Sequence, residues 1–136
     1  MLDLFAGTGN ISLEFLSRGA ENVLSVDQDR NLFAYQQQLA RKLEITNWQM
    51  VKADVFSFLA THRAPYDIVF ADPPFKLEGI ERIPTLVREA GLLGTEGLLI
   101  VEHPNEVNMS GDPWFWKHRP YGTVNFSFFR PNTDQP

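Results

Sequence analysis

The chain has 136 residues, 43% of them apolar and 21% charged, which is the size and balance of one globular domain. It contains no cysteine, so a disulfide scaffold, a thiolate zinc site, an iron–sulfur cluster and a cysteine nucleophile are excluded. Twelve Lys and Arg stand against 17 Asp and Glu, a net charge of −5, which argues against a strongly basic nucleic-acid coat.

Along the chain the pattern is strand, turn, helix, repeated. Leu2 to Ala6 is a short apolar run before Gly7-Thr8-Gly9. Thr8 or Asn10 can cap a helix that runs to about Arg18 and stops at Gly19, with Ile11, Phe15 and Leu16 toward the core. Val23 to Val26 is a second apolar run, closed by Asp27. Asp29 can cap the next helix, on which Leu32, Phe33, Gln36, Leu39, Ala40 and Leu43 trace one face. Trp48 to Val51 reads as a third strand, and Asp54 opens a short helix with Val55, Phe58 and Leu59. Asp67 to Ala71 is the fourth strand and runs into Asp72-Pro73-Pro74-Phe75, where two prolines stop any regular element. A helix over about Ile80 to Ala90 follows, then Gly91, Gly94 and Gly97 as turn signals, then a fifth strand from Leu98 to Val101. Trp116 to Arg119 and Val124 to Arg130, joined at Tyr121-Gly122, predict an antiparallel hairpin.

This alternation predicts an α/β fold, a mostly parallel twisted sheet with helices on both faces and a C-terminal antiparallel hairpin. The domain is expected over residues 1–130, with 131–136 a flexible tail. A first strand at residue 1 belongs in the middle of such a sheet, so the chain is expected to be N-terminally truncated. The surface left bare is expected to favour dimerisation. No apolar run approaches the roughly 20 residues that span a bilayer. The acidic start is not a signal peptide, and a cytoplasmic protein without membrane contact is expected.

Ligands of open α/β sheets bind at the carboxyl ends of the strands. Gly7 and Gly9, Asp27, Asp54 and Asp72-Pro73-Pro74-Phe75 all fall at such ends. The glycines let backbone approach a ligand and lead into a helix N-terminus, although Ser12 stands where a dinucleotide fingerprint has its third glycine. Asp27 suits a ribose diol and Asp54 an adenine amine; either could instead cap a helix. The prolines fix the backbone so that the Asp72 carboxylate and the Pro73 carbonyl, both acceptors, can aim at one –NH2 group. Phe75 offers a face on which a ring can stack.

The segment Asp3-Leu4-Phe5-Ala6-Gly7-Thr8-Gly9 resembles motif I of S-adenosylmethionine-dependent methyltransferases. Asp72-Pro73-Pro74-Phe75 resembles the motif of those that methylate exocyclic amines of nucleobases. The stretches Asn10 to Ala20 and Tyr66 to Phe75, with Tyr121-Gly122, are similar to the bacterial RsmD-type family, which methylates N2 of a guanine in small-subunit rRNA. The resemblance implies a Rossmann-like class I methyltransferase fold, S-adenosylmethionine as cofactor, and small-subunit rRNA or the assembling small subunit as partner. It implies a catalytic loop of Asp72, Pro73, Pro74 and Phe75. It implies a cofactor set of Asp3, Phe5, Ala6, Gly7, Thr8, Gly9, Asp27, Gln28, Asp54 and Val55. The family's usual Glu is Asp27 here, and its usual Tyr after the prolines is Phe75. An adenine-N6 DNA methyltransferase, a nicotinamide-dependent oxidoreductase and a non-catalytic module stand as alternatives.

His62, His103 and His118 lack metal-ligand spacing and read as surface or loop residues, and no metal is expected. Trp114, Phe115 and Trp116 read as core or edge packing. Glu102 and His103 follow the fifth strand and could line the rim of the site; neither is assigned a catalytic role.

Overall fold

Strand β1 (Leu2–Leu4) leads into helix α1 (Asn10–Ser17), β2 (Val23–Asp27) into α2 (Arg30–Lys42) and β3 (Trp48–Lys52) into α3 (Val55–Thr61). Strand β4 (Tyr66–Ala71) leads into a 3-10 turn (Ile80–Arg82) and α4 (Ile83–Glu89), and β5 (Leu93–His103) into the hairpin of β6 (Phe115–Tyr121) and β7 (Val124–Phe129). This computed structural model describes residues 1–131; the tail expected over 131–136 lies, apart from Pro131, outside the described residues. The strands form one sheet in the order β3-β2-β1-β4-β5-β7-β6. The first five pair in parallel, and β7 pairs antiparallel with both β5 and β6. Strand β1 is central, as its run of three buried residues requires.

One face of the sheet holds the main core. Leu2 and Leu4 of β1, Val69 and Ala71 of β4 and Leu99 and Val101 of β5 pack there with Phe58 and Leu59 of α3 and Ile83 and Val87 of α4. A second cluster of Val23, Ala40 and Trp48 lies on the side of α1 and α2. Alternation along each strand separates the two faces, so Asp3, Ser25 and Phe70 share the face opposite that main core.

Several local expectations change. Strand β1 stops at Leu4 because Phe5 turns left-handed, at φ 61°, a conformation costly for an aromatic residue. Helix α1 has Gly9 at its N-cap with no side-chain cap, so neither Thr8 nor Asn10 serves. Its one fully buried residue is Ser12, while Ile11, Phe15 and Leu16 are half-buried. Asp29 does cap α2, accepting from the N–H groups of Asn31 and Leu32. The helix expected over Ile80 to Ala90 is split at Ile83 into a 3-10 turn and an α-helix, with Pro84 in the first turn of the latter, where its missing N–H costs nothing. Gly94 and Gly97 are not turns outside a strand but part of β5. A Cβ on Gly97 would lie 3.0 Å from the carbonyl oxygen of Tyr66 on the neighbouring strand, where the β4–β5 register slips between Tyr66 and Ile68.

His103 is not a surface residue. It is buried, with Nε2 2.7 Å from the Ser127 hydroxyl and Nδ1 3.0 Å from the Pro104 carbonyl oxygen. The carbonyl can only accept, so Nδ1 carries the proton and Nε2 accepts from Ser127. Burial pushes the imidazole below its ordinary pKa. Trp114 and Phe115 pack on the core's edge; Trp116 is exposed between Lys117 and Arg130.

Candidate functional site

The carboxyl ends of β1, β2, β3 and β4 open onto one cleft of about 560 Å³, within the range of small-molecule sites. It is lined by Phe5, Gly7, Asp27, Gln28, Asp29, Leu32, Ala53, Asp54, Val55, Asp72, Pro73, Pro74, Phe75 and Leu77. A wider hollow, of about 750 Å³, lies between Thr95–Leu98 and Trp114–Trp116. It holds Glu96 and Arg130 but no converging set of acceptors, so chemistry rather than volume decides between the two.

The turn after β1 is held from three sides. The Gly7 N–H donates to Oδ2 of Asp27 at 2.9 Å, and Gln36, buried on α2, donates through Nε2 to the Gly7 carbonyl at 2.6 Å. The Gly9 N–H donates to the Ala6 carbonyl at 2.9 Å. The other Asp27 oxygen accepts from the Asp29 N–H at 2.8 Å. Each carboxylate oxygen has two lone-pair sites, so one on each remains for a diol at the cleft. Asp27 is therefore both a brace of the turn and an open acceptor. Asp54 caps α3 with Oδ2, which accepts from the Ser57 N–H at 3.0 Å. Its second oxygen takes no bond within the chain and stands at the cleft.

Four of the residues expected at the cofactor, Asp3, Ala6, Thr8 and Gly9, do not line the cleft. Asp3 lies beneath it, 1% exposed. The Ser12 hydroxyl donates to its Oδ2 at 2.6 Å and lies 2.7 Å from the Ser25 hydroxyl, which accepts from Nε1 of Trp48 at 2.7 Å. Each hydroxyl has one proton to give, so the chain runs one way: Trp48 to Ser25 to Ser12 to Asp3. Burial pushes the Asp3 carboxyl up to about 7, against the hydrogen bonds from Ser12 and helped by the charges of Asp72 and Asp27. Gly9 is buried over the Trp48 indole. These residues shape the turn from below. The signal for this was the run of Ser12, Ser25 and Trp48 at polar positions inside otherwise apolar elements.

Asp72 follows β4 directly, and its N–H donates to the Leu4 carbonyl at 3.3 Å. That bond ties the loop to the end of β1. Pro73 is buried, whereas Pro74 and Phe75 face out, Phe75 being 41% exposed. A large aromatic left open beside a proline-fixed acid is a surface for a flat ring. Glu102, without a role in the sequence reading, stands at the end of β5 beside it. Ala71 pairs with Val101, so Asp72 and Glu102 come next in register on neighbouring parallel strands. Their carboxyls meet in a hydrogen bond that, with burial and the Asp72 charge, pushes Glu102 up to about 7. Among the described residues no group of histidines or acids could hold a metal ion, and no helix is long and apolar enough to cross a membrane.

A cleft with open carboxylate oxygens at three strand ends suits a ligand that brings hydrogen-bond donors and positive charge. Comparison with known proteins gives the same direction. The family model described as conserved hypothetical protein 95 matches residues 1–130. Ribosomal RNA small subunit methyltransferase D of Escherichia coli (strain K12) is 38% identical over 122 residues, which cover 87% of this chain and 60% of that protein. The chain thus spans about three-fifths of the length of that relative. The solved structure of yhhF from Escherichia coli superposes with a TM-score of 0.86 at 31% identity, covering 94% of this chain and 72% of that one. An SAH-bound methyltransferase of Podospora anserina, PaMTH1, superposes with a TM-score of 0.78 at 12% identity, over 96% of this chain and 71% of that one, a likeness of fold alone. The fold is the Rossmann-like class I methyltransferase fold that the motifs implied.

Proposed function

The chain belongs to the conserved hypothetical protein 95 family, and from the chemistry of its cleft we propose that it carries the catalytic domain of an S-adenosylmethionine-dependent methyltransferase acting on the exocyclic N2 amine of a guanine in small-subunit rRNA. One observation carries the reading. The acceptor and aromatic of Asp72-Pro73-Pro74-Phe75 open onto the same cleft as Gly7, Asp27 and Asp54, so a nucleobase amine and a nucleoside cofactor can meet there. The name of the E. coli relative supports the rRNA substrate, and the SAH in the Podospora methyltransferase supports the cofactor.

The residues present fit that cofactor. The free lone pairs of Asp27 accept from ribose hydroxyls, the free oxygen of Asp54 accepts from an adenine amine, and Gly7 leaves open space on its outer side. Bound there, S-adenosylmethionine supplies an electrophilic methyl on a sulfonium whose positive charge suits the acidic cleft. The guanine amine is a weak nucleophile because its lone pair is delocalised into the ring. Asp72, and the Pro73 carbonyl with it, accept the two N–H bonds and favour a pyramidal nitrogen with its lone pair free. Phe75 stacks the base once it has left its own stack. The protein's contribution is position and electrostatics, and no covalent enzyme intermediate is needed.

Titration calorimetry with S-adenosylmethionine, and separately with NADH, tests the cofactor. Transfer of a labelled methyl to naked small-subunit rRNA and to assembling small subunits tests the substrate. Binding of NADH in preference, or transfer to DNA adenine in preference to rRNA, overturns the reading.

A further inference from the structure

Two carboxyl groups touch at the floor of the cleft, and the proposed reaction uses one of them. Asp72 and Glu102 come from adjacent parallel strands one step beyond the Ala71–Val101 pair, so their side chains leave the same face of the sheet side by side. Their carboxyls are hydrogen-bonded to each other. Such a bond requires a proton on one of them, because two carboxylates are acceptors only. No cation neutralises the pair. The ion pairs among the described residues are Arg18–Glu14 and Arg88–Asp112, neither of them at this site. The groups around it are acids, Asp3 of β1 and, beyond it, Asp27 of β2. On the far side of Glu102 its partner in β7 is Phe126, which carries no charge. The least costly state of so acidic a corner is therefore one in which the pair holds a single proton.

Resting on the methyl-transfer reading above, we propose that Glu102 is a positioning residue: its protonated carboxyl donates to one oxygen of Asp72 and so leaves the other oxygen directed at the amine that is methylated. The elevation of the Glu102 carboxyl to about 7 accords with a proton held there at neutral pH. During transfer the amine nitrogen forms its bond to the methyl carbon as the carbon–sulfur bond breaks, with that pair staying on sulfur. The nitrogen then carries the positive charge and gives its extra proton to the free oxygen of Asp72. Asp72 becomes neutral, and the proton leaves through half-exposed Glu102 to water, which restores the singly protonated pair. Without the Glu102 donor, Asp72 rotates freely about its side-chain bonds, and the order that the prolines impose on the backbone does not reach its carboxylate.

The pair can be read without turnover. Carboxyl 13C resonances of the 136-residue chain should show Glu102 titrating near neutral pH, and Asp72→Asn should return it toward the ordinary glutamate range. In methyl transfer, Glu102→Ala should lower kcat about tenfold or more with the Kd for S-adenosylmethionine unchanged, because the residue acts through Asp72 and not on the cofactor. Glu102→Gln keeps a donor toward Asp72 and should stay within about threefold of the parent. It should also lose the fall in kcat that the parent shows as the pH rises past neutral. Glu102 titrating in the ordinary range, Glu102→Ala as active as the parent, or Glu102→Gln as slow as Glu102→Ala each overturns the proposal. An inactive parent in which the pair nonetheless titrates together sinks the methyl-transfer reading and this role with it. An active parent indifferent to Glu102→Ala sinks this role alone.

Discussion

A Cβ placed on Gly9 would lie 2.7 Å from Cζ2 of Trp48. The glycine that ends the turn after β1 is thus a packing requirement against a buried indole, and its φ of 86° adds a backbone one. Gly7, two residues earlier, has a φ of 59° but nothing within 4 Å of its missing Cβ. The same substitution should therefore separate fold from function. Gly9→Ala should destabilise the chain by more than the roughly 1–2 kcal/mol of a left-handed alanine, and Trp48→Phe should relieve part of the excess. Gly7→Ala should cost about that strain alone while weakening cofactor binding, because its methyl enters the cleft. Thermal melts and calorimetry on the four proteins check the pattern.

The parallel scaffold was legible because each strand and helix signalled itself locally, through apolar runs ended by Gly7, Asp27 or Asp72. The Asp-Pro-Pro-Phe loop was legible for the same reason, since its four residues are contiguous. What escaped were relationships made by the fold. Ser12 on a helix reads as a solvent-facing polar residue, and its burial depends on Asp3 and Ser25 arriving from two other strands. Gly97 reads as a turn until the Tyr66 carbonyl is brought against it. Glu102 meets Asp72 only through the register of two strands distant in sequence, and His103 is buried only because β7 lays Ser127 against it.

Asp27 serves the turn and the cleft together. Removing its carboxylate takes away the acceptors for the Gly7 and Asp29 N–H groups as well as those offered to a ribose. Asp27→Ala should weaken S-adenosylmethionine binding roughly tenfold to a hundredfold, the cost of about 1.5–3 kcal/mol for a lost charged acceptor. It should lower the melting temperature too. Asp54→Ala should lose about 1 kcal/mol of helix capping and show a smaller drop in affinity. Equal affinity of Asp27→Ala and parent would remove the ribose assignment.

Asp3 makes stability depend on pH in an unusual direction for a carboxylate. Its folded pKa is about 7 against an ordinary 3.8, chiefly through burial. The protonated group is favoured in the folded state. Its contribution is fully present below about pH 4 and is lost as the pH rises through 7, at about 1.4 kcal/mol per unit while the two states differ. Asp3→Asn keeps an acceptor for Ser12 and carries no charge. The stability of Asp3→Asn relative to the parent should therefore increase from pH 4 to 7 and level off above. Denaturant melts at four pH values in that span measure it, and a difference that does not change with pH would contradict it.

Asp72 and Phe75 should fail in different ways, because one holds the reacting amine and the other holds the ring that bears it. Asp72 is exposed at the cleft, and neither side-chain oxygen braces the backbone; the loop is tied to β1 through its N–H, which any residue but proline retains. Asp72→Ala should therefore fold, bind S-adenosylmethionine with nearly parental affinity and transfer no methyl. Phe75 is 41% exposed, so truncating it removes little from the core. Phe75→Ala should raise the KM for the rRNA substrate by the equivalent of about 1–3 kcal/mol for a lost stack, with the Kd for the cofactor unchanged. Phe75→Tyr and Phe75→Trp should restore the flat face and most of the activity. Single-turnover rates together with RNA and cofactor affinities on this set decide the assignment. Full turnover by Asp72→Ala would remove the loop from the chemistry, and a Phe75→Ala defect confined to cofactor binding would place the aromatic against the wrong ligand.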